Sequence, residues 1–306
     1  MTLQQLKDFL AIVEFGGFRA AARTLKVSQG GLTKSIARLE DDYGVALLER
    51  SAKGILLTPE GEEFLLLARS AVQEANRVAS WLKRAATRQQ PTINIGVSID
   101  PAIRLAPSVL NDFRNCNPDV ALHITHSISS DLLVRLRDGR IELAVMRMER
   151  QQNTDDLEVV FLYRDKPAIM ARAGHPLRYA RRVSELTACD WIVVGGAPNQ
   201  GVEDASLVEL FDEAGLGRPR IAAYCSSLFD AISMLLDSDF LARLPGNVLH
   251  HPLVRDRIVA IEVEDPPRPY EIALVYRAAR KLSREAQMLA AMIRSYVRVD
   301  QLRTRL

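Results

Sequence analysis

The sequence has few of the features that mark secreted, disulfide-bonded or metal-binding proteins. Its 306 residues include 3 cysteines, Cys116, Cys189 and Cys225, and no two of them form a CxxC pair. Scattered cysteines in odd number predict a reducing compartment and no structural metal, and they carry no pairing signal for a redox switch. The start, MTLQQLKDFLAIV, lacks the segments of a signal peptide, so we expect a cytoplasmic chain.

Long apolar runs and catalytic motifs are also missing. Apolar stretches such as FLLLA and AISMLL are far shorter than the roughly 20 residues needed to cross a bilayer. No GxSxG, GxGxxG, HExxH or P-loop sequence occurs, and the 5 histidines show no metal-ligand spacing. We therefore expect no membrane segment, metal, cofactor or catalytic activity. An enzyme with its site in the C-terminal two thirds is the main alternative.

Positive charge is concentrated in one short segment, although the chain as a whole is nearly neutral. The 40 Lys and Arg residues are balanced by 38 Asp and Glu residues. The segment RAAARTLKVSQGGLTKSIARLE, residues 19–40, nevertheless holds five basic residues before its first acid, Glu40. A site for a polyanion must therefore be local. The alternative interpretation is a solvated, positively charged face of a small helical bundle.

The beginning of the chain has helical periodicity. Apolar residues recur at helical spacing over 3–13, Gly16-Gly17 ends that helix, and residues 18–25 form a second one. The segment SAKGILLT predicts a small hairpin with Lys53 at its tip. These patterns predict a helical domain over residues 1–58.

The third predicted helix has two distinct faces. Ser28 is a good N-cap, and the helix should run to about Tyr43. Leu32, Ile36 and Leu39 fall on one side and should be buried. The opposite side holds Gly30, Thr33, Lys34, Ala37 and Arg38. Two helices joined by a tight turn, the second with a polar face, are typical of a helix-turn-helix, whose second helix enters the major groove of DNA.

Each polar residue of that helix has a chemical match in DNA. Gln29 can bond adenine in a bidentate manner and Lys34 can bond guanine, while Thr33 can contact a thymine methyl group or a phosphate. Ser28 and the helix N-terminus can bind a phosphate through backbone N–H groups, and Gly30 permits close approach of the backbone. Arg38 and the other basic residues of 19–38 would neutralise further phosphates, and Lys53 would follow the DNA backbone or the minor groove.

A long helix is predicted next, over residues 59–90. Pro59 and the early acids Glu60, Glu62 and Glu63 suit a helix N-terminus. An apolar heptad seam follows, formed by Phe64, Ala68, Ala71, Ala75, Val78, Leu82 and Ala85. The seam predicts self-association, and packing against the helix's own domain is the alternative.

The remainder, residues 91–306, alternates strand and helix patterns. Seven strand-like segments run from TINIGVSI at 92–99 to YEIALVY at 270–276, and the helical stretches are 101–114, 130–138, 203–214, 227–237 and 283–298. Such alternation predicts a mainly parallel, doubly wound α/β architecture.

The whole chain resembles the LysR-type transcriptional regulators. The residues that carry the resemblance are Leu6, Phe9, Val13, Glu14, Phe18, Ala21, Ala22, Leu25, Ser28, Gln29, Leu32, Ile36, Leu39, Glu40, Gly44, Leu47, Leu48, Arg50, Leu57, Thr58 and Gly61, with LRDGRIELAVMR at 136–147 and AGHPL at 173–177. The family usually has Ser at position 17 and Pro-Ala at 30–31, where this chain has glycine.

The resemblance implies a multidomain α and α/β fold and a regulatory function. The expected parts are a winged helix-turn-helix at 1–58, a dimerising linker helix at 59–90, and a two-lobed α/β effector domain similar to periplasmic binding proteins at 91–306. Lobe one would be 92–164 with 269–300, and lobe two 166–268. Expected partners are double-stranded DNA, a small-molecule effector, further copies of the chain in a dimer or tetramer, and, as a further candidate, RNA polymerase.

The resemblance also implies a set of effector-binding residues in the cleft between the lobes. They are Asp100, Ser129, Arg147, Pro198, Asn199, Ser226 and Ser227. The three serines stand at predicted helix starts, so capping of those helices is the alternative role for each of them.

Asp100 stands where a carboxylate would repel an anionic effector. It could pair with Arg147, or it could meet an ammonium or hydroxyl group of the ligand. We therefore expect a polar effector rather than a simple monoanion, and tight binding of a plain aromatic monocarboxylate, unchanged in Asp100→Asn, would refute this hypothesis.

Overall fold

A computed structural model describes residues 1–51, 54–87, 90–148, 153–195, 206–264 and 267–303. The described chain divides into two compact units, the first comprising residues up to 89 together with Arg137–Gly139, and the second the rest of the chain from residue 90. The first unit contains four helices and a two-stranded hairpin, and the second contains two five-stranded sheets with helices.

The first unit follows the predicted order of elements. Its helices and strands are α1 (Leu3–Glu14), α2 (Phe18–Leu25), α3 (Gln29–Tyr43), β1 (Leu48–Ser51), β2 (Gly54–Leu57) and α4 (Pro59–Thr87). The core contains Phe9, Ile12, Ala21, Leu32 and Ile36, all fully buried. The helical spacing of apolar residues therefore corresponds to the faces that pack together.

Glu40, Thr58 and Gly61 connect the hairpin to the helices on either side of it. The Glu40 carboxylate accepts from the backbone N–H of Leu47 at 2.7 Å, and the Thr58 hydroxyl donates to the carbonyl of Ala46 at 2.8 Å. A Cβ atom on Gly61 would lie 2.1 Å from the carbonyl oxygen of Leu47, so a larger residue would push the hairpin away from α4.

The long helix α4 uses its two halves differently. Ala68 and Val72 are buried in the core of the first unit, and the Phe64 ring packs edge-on against Phe9 at 5.1 Å between centroids. Further along, Val78 and Leu82 are more than half exposed. The start of the predicted heptad seam thus packs against its own unit, which was the alternative interpretation, and only the later part is left on the surface.

The second unit alternates strands and helices. Its strands are β3 (Thr92–Val97), β4 (Ala121–His126), β5 (Leu143–Met148), β6 (Leu157–Asp165), β7 (Pro167–Arg172), β8 (Asp190–Val194), β9 (Arg220–Cys225), β10 (Leu241–Pro245), β11 (Ile258–Ile261) and β12 (Tyr270–Arg277). Its helices are α5 (Ile99–Arg104), α6 (Ala106–Cys116), α7 (Ser129–Arg137), α8 (Ser206–Glu213), α9 (Leu228–Asp237) and α10 (Arg284–Arg303), with 3-10 turns at Val183–Leu186 and Gly246–His250.

Two predictions about these elements need correction. The helix predicted over 101–114 is two helices, α5 and α6, because Pro107 has no N–H to continue the bonding pattern and its ring opposes a continuous helix. The strands β6, β9 and β11 lie outside the seven segments that the strand pattern predicts. In β6 the burial pattern is irregular, so no alternation marks it in the sequence.

Each of the two sheets is mixed rather than mainly parallel, which corrects the predicted topology. Lobe one contains the sheet ordered β4-β3-β5-β12-β6, and lobe two the sheet ordered β11-β7-β10-β8-β9. In lobe one, β3 pairs in parallel with β4 and β5, whereas β12 pairs antiparallel with β5 and β6. Lobe two has the same division, with β7 antiparallel to β10 and β11.

The antiparallel strands arise where the chain passes between the lobes. The outward passage lies between Asp165, the last residue of β6, and Pro167, the first residue of β7. The return passage leads to Tyr270, the first residue of β12, which pairs with Asp165. The two passages therefore lie side by side, as in a hinge, and the residues next to them sit at the base of the cleft between the lobes.

Candidate functional site

Ser28 sets the start of helix α3 through its side chain. Its hydroxyl accepts a hydrogen bond from the N–H of Gly31 at 3.1 Å, and its backbone is extended, as in a standard N-cap. Gly44 ends the helix in the left-handed conformation, with φ of 67°. Both ends lie where the sequence predicts them, so the register of the helix faces is fixed as well.

One side of α3 is held by the rest of the first unit. Leu32, Ile36 and Leu39 are buried, as predicted. Ser35 is held by a polar contact, because its hydroxyl donates to the carboxylate of Asp8 in α1 at 2.5 Å. Buried Asp8 was not predicted as structural, and no local sequence signal links it to a residue 27 positions away.

The opposite side of α3 faces outward. Ser28, Gln29, Gly30, Lys34 and Arg38 are exposed, and Thr33 is half buried. The Thr33 hydroxyl donates to the backbone carbonyl of Gln29 at 3.0 Å, so its donor is already used within the helix. Lys53, the remaining residue predicted to bind DNA, lies outside the described residues.

Gly30 has no structural requirement within its own chain. A Cβ atom at this position would have no atom within 4 Å, and the backbone is helical. Gly17 differs, because its φ of 154° is a conformation that other residues rarely adopt. It lies just before α2 and does not weaken that helix from within.

A cavity opens between the two lobes of the second unit. It contains about 740 Å³ of empty space, part of it open to solvent. Lobe one contributes Ser98, Asp100, Ser127, Ser129, Arg147 and Tyr270, and lobe two contributes Pro167, Ile192, Val193, Val194, Ser206, Leu207, Arg243, Leu244 and Pro245, with Ile99 and Ile128 completing the wall. The wall thus combines an apolar surface with serine hydroxyls and two arginines, as small-molecule sites commonly do.

Asp100 lies at the base of this cleft and is bound by residues of both lobes. It is almost fully buried, with 2% of its surface exposed. The Tyr163 hydroxyl of β6 donates to one carboxyl oxygen at 2.7 Å, and the Asn247 side-chain amide donates to the other at 2.6 Å. Asn247 also donates to the backbone carbonyl of Asp100 at 3.1 Å. The pairing of Asp100 with Arg147 that the sequence left open is therefore replaced by two neutral partners.

The environment of Asp100 favours its protonated form. Burial raises the pKa of the carboxyl group from 3.8 to about 7, and the negative charge of Asp165 adds to the rise. The hydrogen bond from Tyr163 and the charge of Arg104 oppose it. Burial also raises the pKa of the Tyr163 hydroxyl, which therefore stays a hydrogen-bond donor at neutral pH.

Tyr270 connects the arginine side of the cleft with the acidic side. Its hydroxyl lies 3.4 Å from the carboxylate of Asp165, and the Arg147 guanidinium lies over its ring at 5.1 Å from the centroid. Burial raises the pKa of the Tyr270 hydroxyl, with Asp100 and Asp165 adding to the rise, and Arg147 and Arg243 opposing it. The charges of both acids and both arginines thus influence the pKa of the same hydroxyl group.

The structure brings together only some of the residues predicted to bind the effector. Asp100, Ser129 and Arg147 line the cleft. Ser226 and Ser227 are not among its lining residues, and both hydroxyls bond to the Asp230 carboxylate, at 3.4 and 2.8 Å. Ser227 also caps α9, the alternative role considered for it. Pro198 and Asn199 lie outside the described residues.

The sequence analysis missed Arg243 and Tyr270 among the polar residues that line the cleft, and Tyr163 and Asn247, which bond to Asp100 at its base. Arg243 sits inside the predicted strand FLARLP, where a charged residue between apolar neighbours is the only signal in the sequence. Asn247 lies 147 positions from Asp100. No spacing rule predicts a hydrogen bond between residues so far apart.

Within the described residues, no group of three or more His, Cys, Asp or Glu side chains is arranged to hold a metal ion. Over the same part of the chain, no helix has the length and apolar character needed to cross a membrane.

Two family descriptions match the sequence. "Bacterial regulatory helix-turn-helix protein, lysR family" covers residues 3–62, and "LysR substrate binding domain" covers residues 86–298. The first match contains α3 with its cap, and the second contains both lobes and the cleft.

Curated relatives and solved structures agree with this match. The "SDS degradation transcriptional activation protein" of Pseudomonas sp. (strain ATCC 19151) is 28% identical over 294 residues, covering 95% of each chain. The crystal structure of "CbnR, a LysR family transcriptional regulator" superposes with a TM-score of 0.59 at 22% identity, over 96% of this chain and 99% of the other. Full-length CbnR in complex with its target DNA gives 0.57 at 24% identity, over 97% and 99%. The structural likenesses show the fold. Together with the family matches, the sequence and the geometry lead to one conclusion: the chain belongs to the LysR family of DNA-binding transcriptional regulators, with an N-terminal helix-turn-helix and a C-terminal effector-binding domain.

Proposed function

We propose that this regulator reads double-stranded DNA with the exposed side of α3 and responds to an anionic small molecule held in the cleft. The observation that carries the first part is the division of α3 into a buried apolar face and an exposed face of Gln29, Gly30, Lys34 and Arg38. A helix fixed by its core contacts and capped at its N-terminus can present these side chains to the major groove without rearrangement.

The contacts of α3 favour particular roles. Gln29 and Lys34 suit adenine and guanine edges. Ser28 and the first free N–H groups suit a phosphate, and Arg38 suits another. Thr33 donates its hydroxyl proton to Gln29, so we assign it the thymine methyl rather than a phosphate, which would require a donor. Lys53 stays a predicted phosphate contact.

The cleft supports an effector that carries negative charge. Arg147 from lobe one and Arg243 from lobe two both line it, together with Ser129 and an apolar wall. The expectation of a polar effector other than a simple monoanion depended on repulsion by a charged Asp100. Burial raises the pKa of this acid to about 7, and that rise weakens the repulsion. Contacts of Pro198, Asn199, Ser226 and Ser227 with the effector stay predictions.

Self-association is proposed through the later part of α4. Val78 and Leu82 are exposed one turn apart, and a second copy of the helix would bury them. Sedimentation equilibrium should show a dimer or tetramer for the natural chain and a smaller species for Leu82→Glu, and an unchanged assembly would contradict this contact. A tetramer, a contact with RNA polymerase and a location in the cytoplasm are further parts of this proposal.

The proposed regulation is a change in the angle between the lobes when the effector binds. Because the chain passes between the lobes twice at the base of the cleft, a small rotation there would alter the spacing of two DNA-binding units in one assembly.

Selection from a library of random DNA duplexes tests the DNA-reading face. The full-length protein should enrich a duplex with an interrupted two-fold repeat, because each of two recognition helices would read one half-site. Lys34→Ala should bind the enriched duplex more weakly, while Lys281→Ala, which removes an exposed lysine from the second unit, should bind it normally. Equal losses in both variants would contradict the assignment of α3.

A further inference from the structure

The base of the effector cleft is a cluster of charged and polar groups from both lobes. Asp100 and Asp165 provide carboxyl groups, Tyr163 and Tyr270 provide hydroxyls, and Asn247 provides an amide. We propose that the cleft takes up its anionic effector together with one proton, and that the proton resides on the carboxyl group of Asp100. This inference depends on the proposed effector class and adds a regulatory input to it.

The arginines explain why an anion would enter the cleft. Arg147 and Arg243 line the cavity from opposite lobes, and the charges of both lower the pKa of the Tyr270 hydroxyl. Glu209 approaches Arg147 at 3.9 Å, but 61% of its side chain is exposed, so solvent weakens this pair. An anion between the two guanidinium groups would also link the lobes, since each arginine belongs to a different lobe.

The buried carboxyl group of Asp100 explains why a proton would bind together with the anion. Asp100 is buried and lines the same cavity as the two arginines. Tyr163 and Asn247 donate hydrogen bonds to it, and neither donor carries charge, while a side-chain hydrogen bond with Asp165 favours the neutral form. A bound anion would therefore lie near a buried carboxyl group whose charge no cationic hydrogen-bond donor offsets, and the neutral form of Asp100 would be favoured further.

Other charged groups around Asp100 do not remove this effect. The titratable and charged groups on the surrounding elements are Arg104 on its own helix α5, Tyr163 and Asp165 on β6, Tyr270 on β12, Arg147 on β5 and Arg243 on β10. The turn Gly246–His250 contributes the neutral side-chain amide of Asn247. Arg104 favours the ionised form of Asp100, and Asp165 disfavours it. Burial is the largest influence and favours the neutral form.

Thermodynamic linkage gives the direction of the pH effect. If the complex holds a proton that the free protein loses as the pH rises through about 7, the affinity for the anion must fall over the same range. One proton gives a limiting slope of tenfold per pH unit. Binding of the anion and binding of the proton therefore favour each other. The regulator would respond more strongly to its anionic effector at low pH than at high pH.

Sulfate is a suitable probe, because it keeps its double charge between pH 6 and 8.5. Its affinity is measured on the full-length protein from the rise in melting temperature over a sulfate titration at each pH, with chloride holding the ionic strength constant. We expect sulfate to bind about tenfold more weakly at pH 8 than at pH 6 in the natural chain. In Asp100→Asn the affinity should change by less than about twofold over that range.

Two further variants keep the test decisive if Asp100→Asn folds poorly. Tyr163→Phe removes the hydrogen bond that favours ionised Asp100, so the midpoint of the pH dependence should move to higher pH. His126→Gln removes the histidine that precedes the lining residue Ser127 and should leave the pH dependence unchanged. Loss of the pH dependence in His126→Gln, or its survival in Asp100→Asn with the same slope, would overturn the proton linkage.

The failure of the proton linkage can be told apart from the failure of the proposed effector class. Arg147→Gln and Arg243→Gln should lose most of the stabilisation by sulfate at every pH. If both retain it, or if sulfate does not stabilise the natural chain at any pH, the anionic effector site itself is contradicted. If the arginine variants lose it but the pH slope is absent, the anion site stands and the coupled proton does not.

Discussion

The recognition helix and the effector cleft use their polar residues in opposite ways. On α3, Gln29, Lys34 and Arg38 are exposed and available to a partner outside the chain. At the base of the cleft, Tyr163 and Asn247 both donate hydrogen bonds to Asp100, and the Asp100 carboxyl group is buried. The first region leaves its polar groups exposed, and the second uses several of them in bonds that connect the two lobes.

This difference separates the energetic roles of the two regions. Changing an exposed residue of α3 should alter DNA binding and leave the stability of the fold nearly unchanged, because its side chain makes few contacts within the folded chain. Changing a bonded residue of the cleft should alter stability and its dependence on pH, because a buried polar partner is left behind.

The largest expected effect is on the pH dependence of stability at Asp100. The pKa of this acid is raised in the folded state from 3.8 to about 7, so the folded chain binds more protons than the unfolded chain between these values and loses stability as the pH rises. The contribution is on the order of 3 kcal/mol between pH 5 and pH 8. Urea unfolding of Asp100→Asn should lack this decline.

The matched control is Asp112→Asn, which changes an exposed acid of α6 in the same lobe. Its free energy of unfolding should follow the natural chain at every pH. If Asp100→Asn also follows the natural chain, the burial of a neutral Asp100 in the cleft is wrong.

Lys34→Ala should have the next largest effect, and it should appear in DNA binding alone. Loss of one base contact corresponds to about 1.4 kcal/mol, or roughly tenfold in affinity. The free energy of unfolding should change by less than about 0.5 kcal/mol, as for other exposed positions. Fluorescence anisotropy with a selected duplex measures the first quantity and urea unfolding the second. A loss of stability without a loss of affinity would reverse the roles of the two regions.

Ser28→Ala is expected to affect both properties modestly. Removal of the hydroxyl that caps α3 should reduce the free energy of unfolding of the first unit by about 1 kcal/mol. DNA affinity should fall as well, because the helix N-terminus would fray. Ser70→Ala on the exposed side of α4 is the control and should change neither quantity, and equal effects in both variants would exclude the capping role.

Gly30→Ala should have the smallest effect, and it should change stability and DNA affinity in opposite directions. Alanine in a helix is more stable than glycine by up to about 1 kcal/mol, and the added Cβ meets nothing within 4 Å. We expect a higher melting temperature and weaker DNA binding, because the Cβ would stand between the backbone and the duplex. If Gly30→Ala gains stability and keeps its affinity, close approach of DNA at this position is ruled out.

The fold of the first unit could be predicted closely because its signals are local. The Ser28 cap, the Gly44 end and the burial of Leu32, Ile36 and Leu39 depend on residues within a few turns of each other. The interpretation of α4 as a seam from its first turn was less accurate. The same apolar spacing serves packing against α1 and packing against another chain, and Phe64 and Ala68 are used for the first.

The cleft could be predicted only in part, because its contacts are distant in sequence. The family resemblance pointed to Arg147 and Ser129, and the structure places both in the wall of the cleft. The partners of Asp100, by contrast, come from β6 and from the turn at Gly246–His250, and only the mixed sheets bring these segments together. The mainly parallel topology expected from strand–helix alternation would not have placed β6 and β12 side by side.

The most direct test of the central claim is the base preference of Gln29→Ala, measured by sequencing duplexes selected from a random library. The natural protein should prefer one base at each contacted position of its half-site. If the exposed side of α3 reads the major groove, Gln29→Ala should lose the preference at a single position, expected to be an adenine, and keep it elsewhere. A variant that keeps its full preference, or loses it at every position equally, would contradict the account.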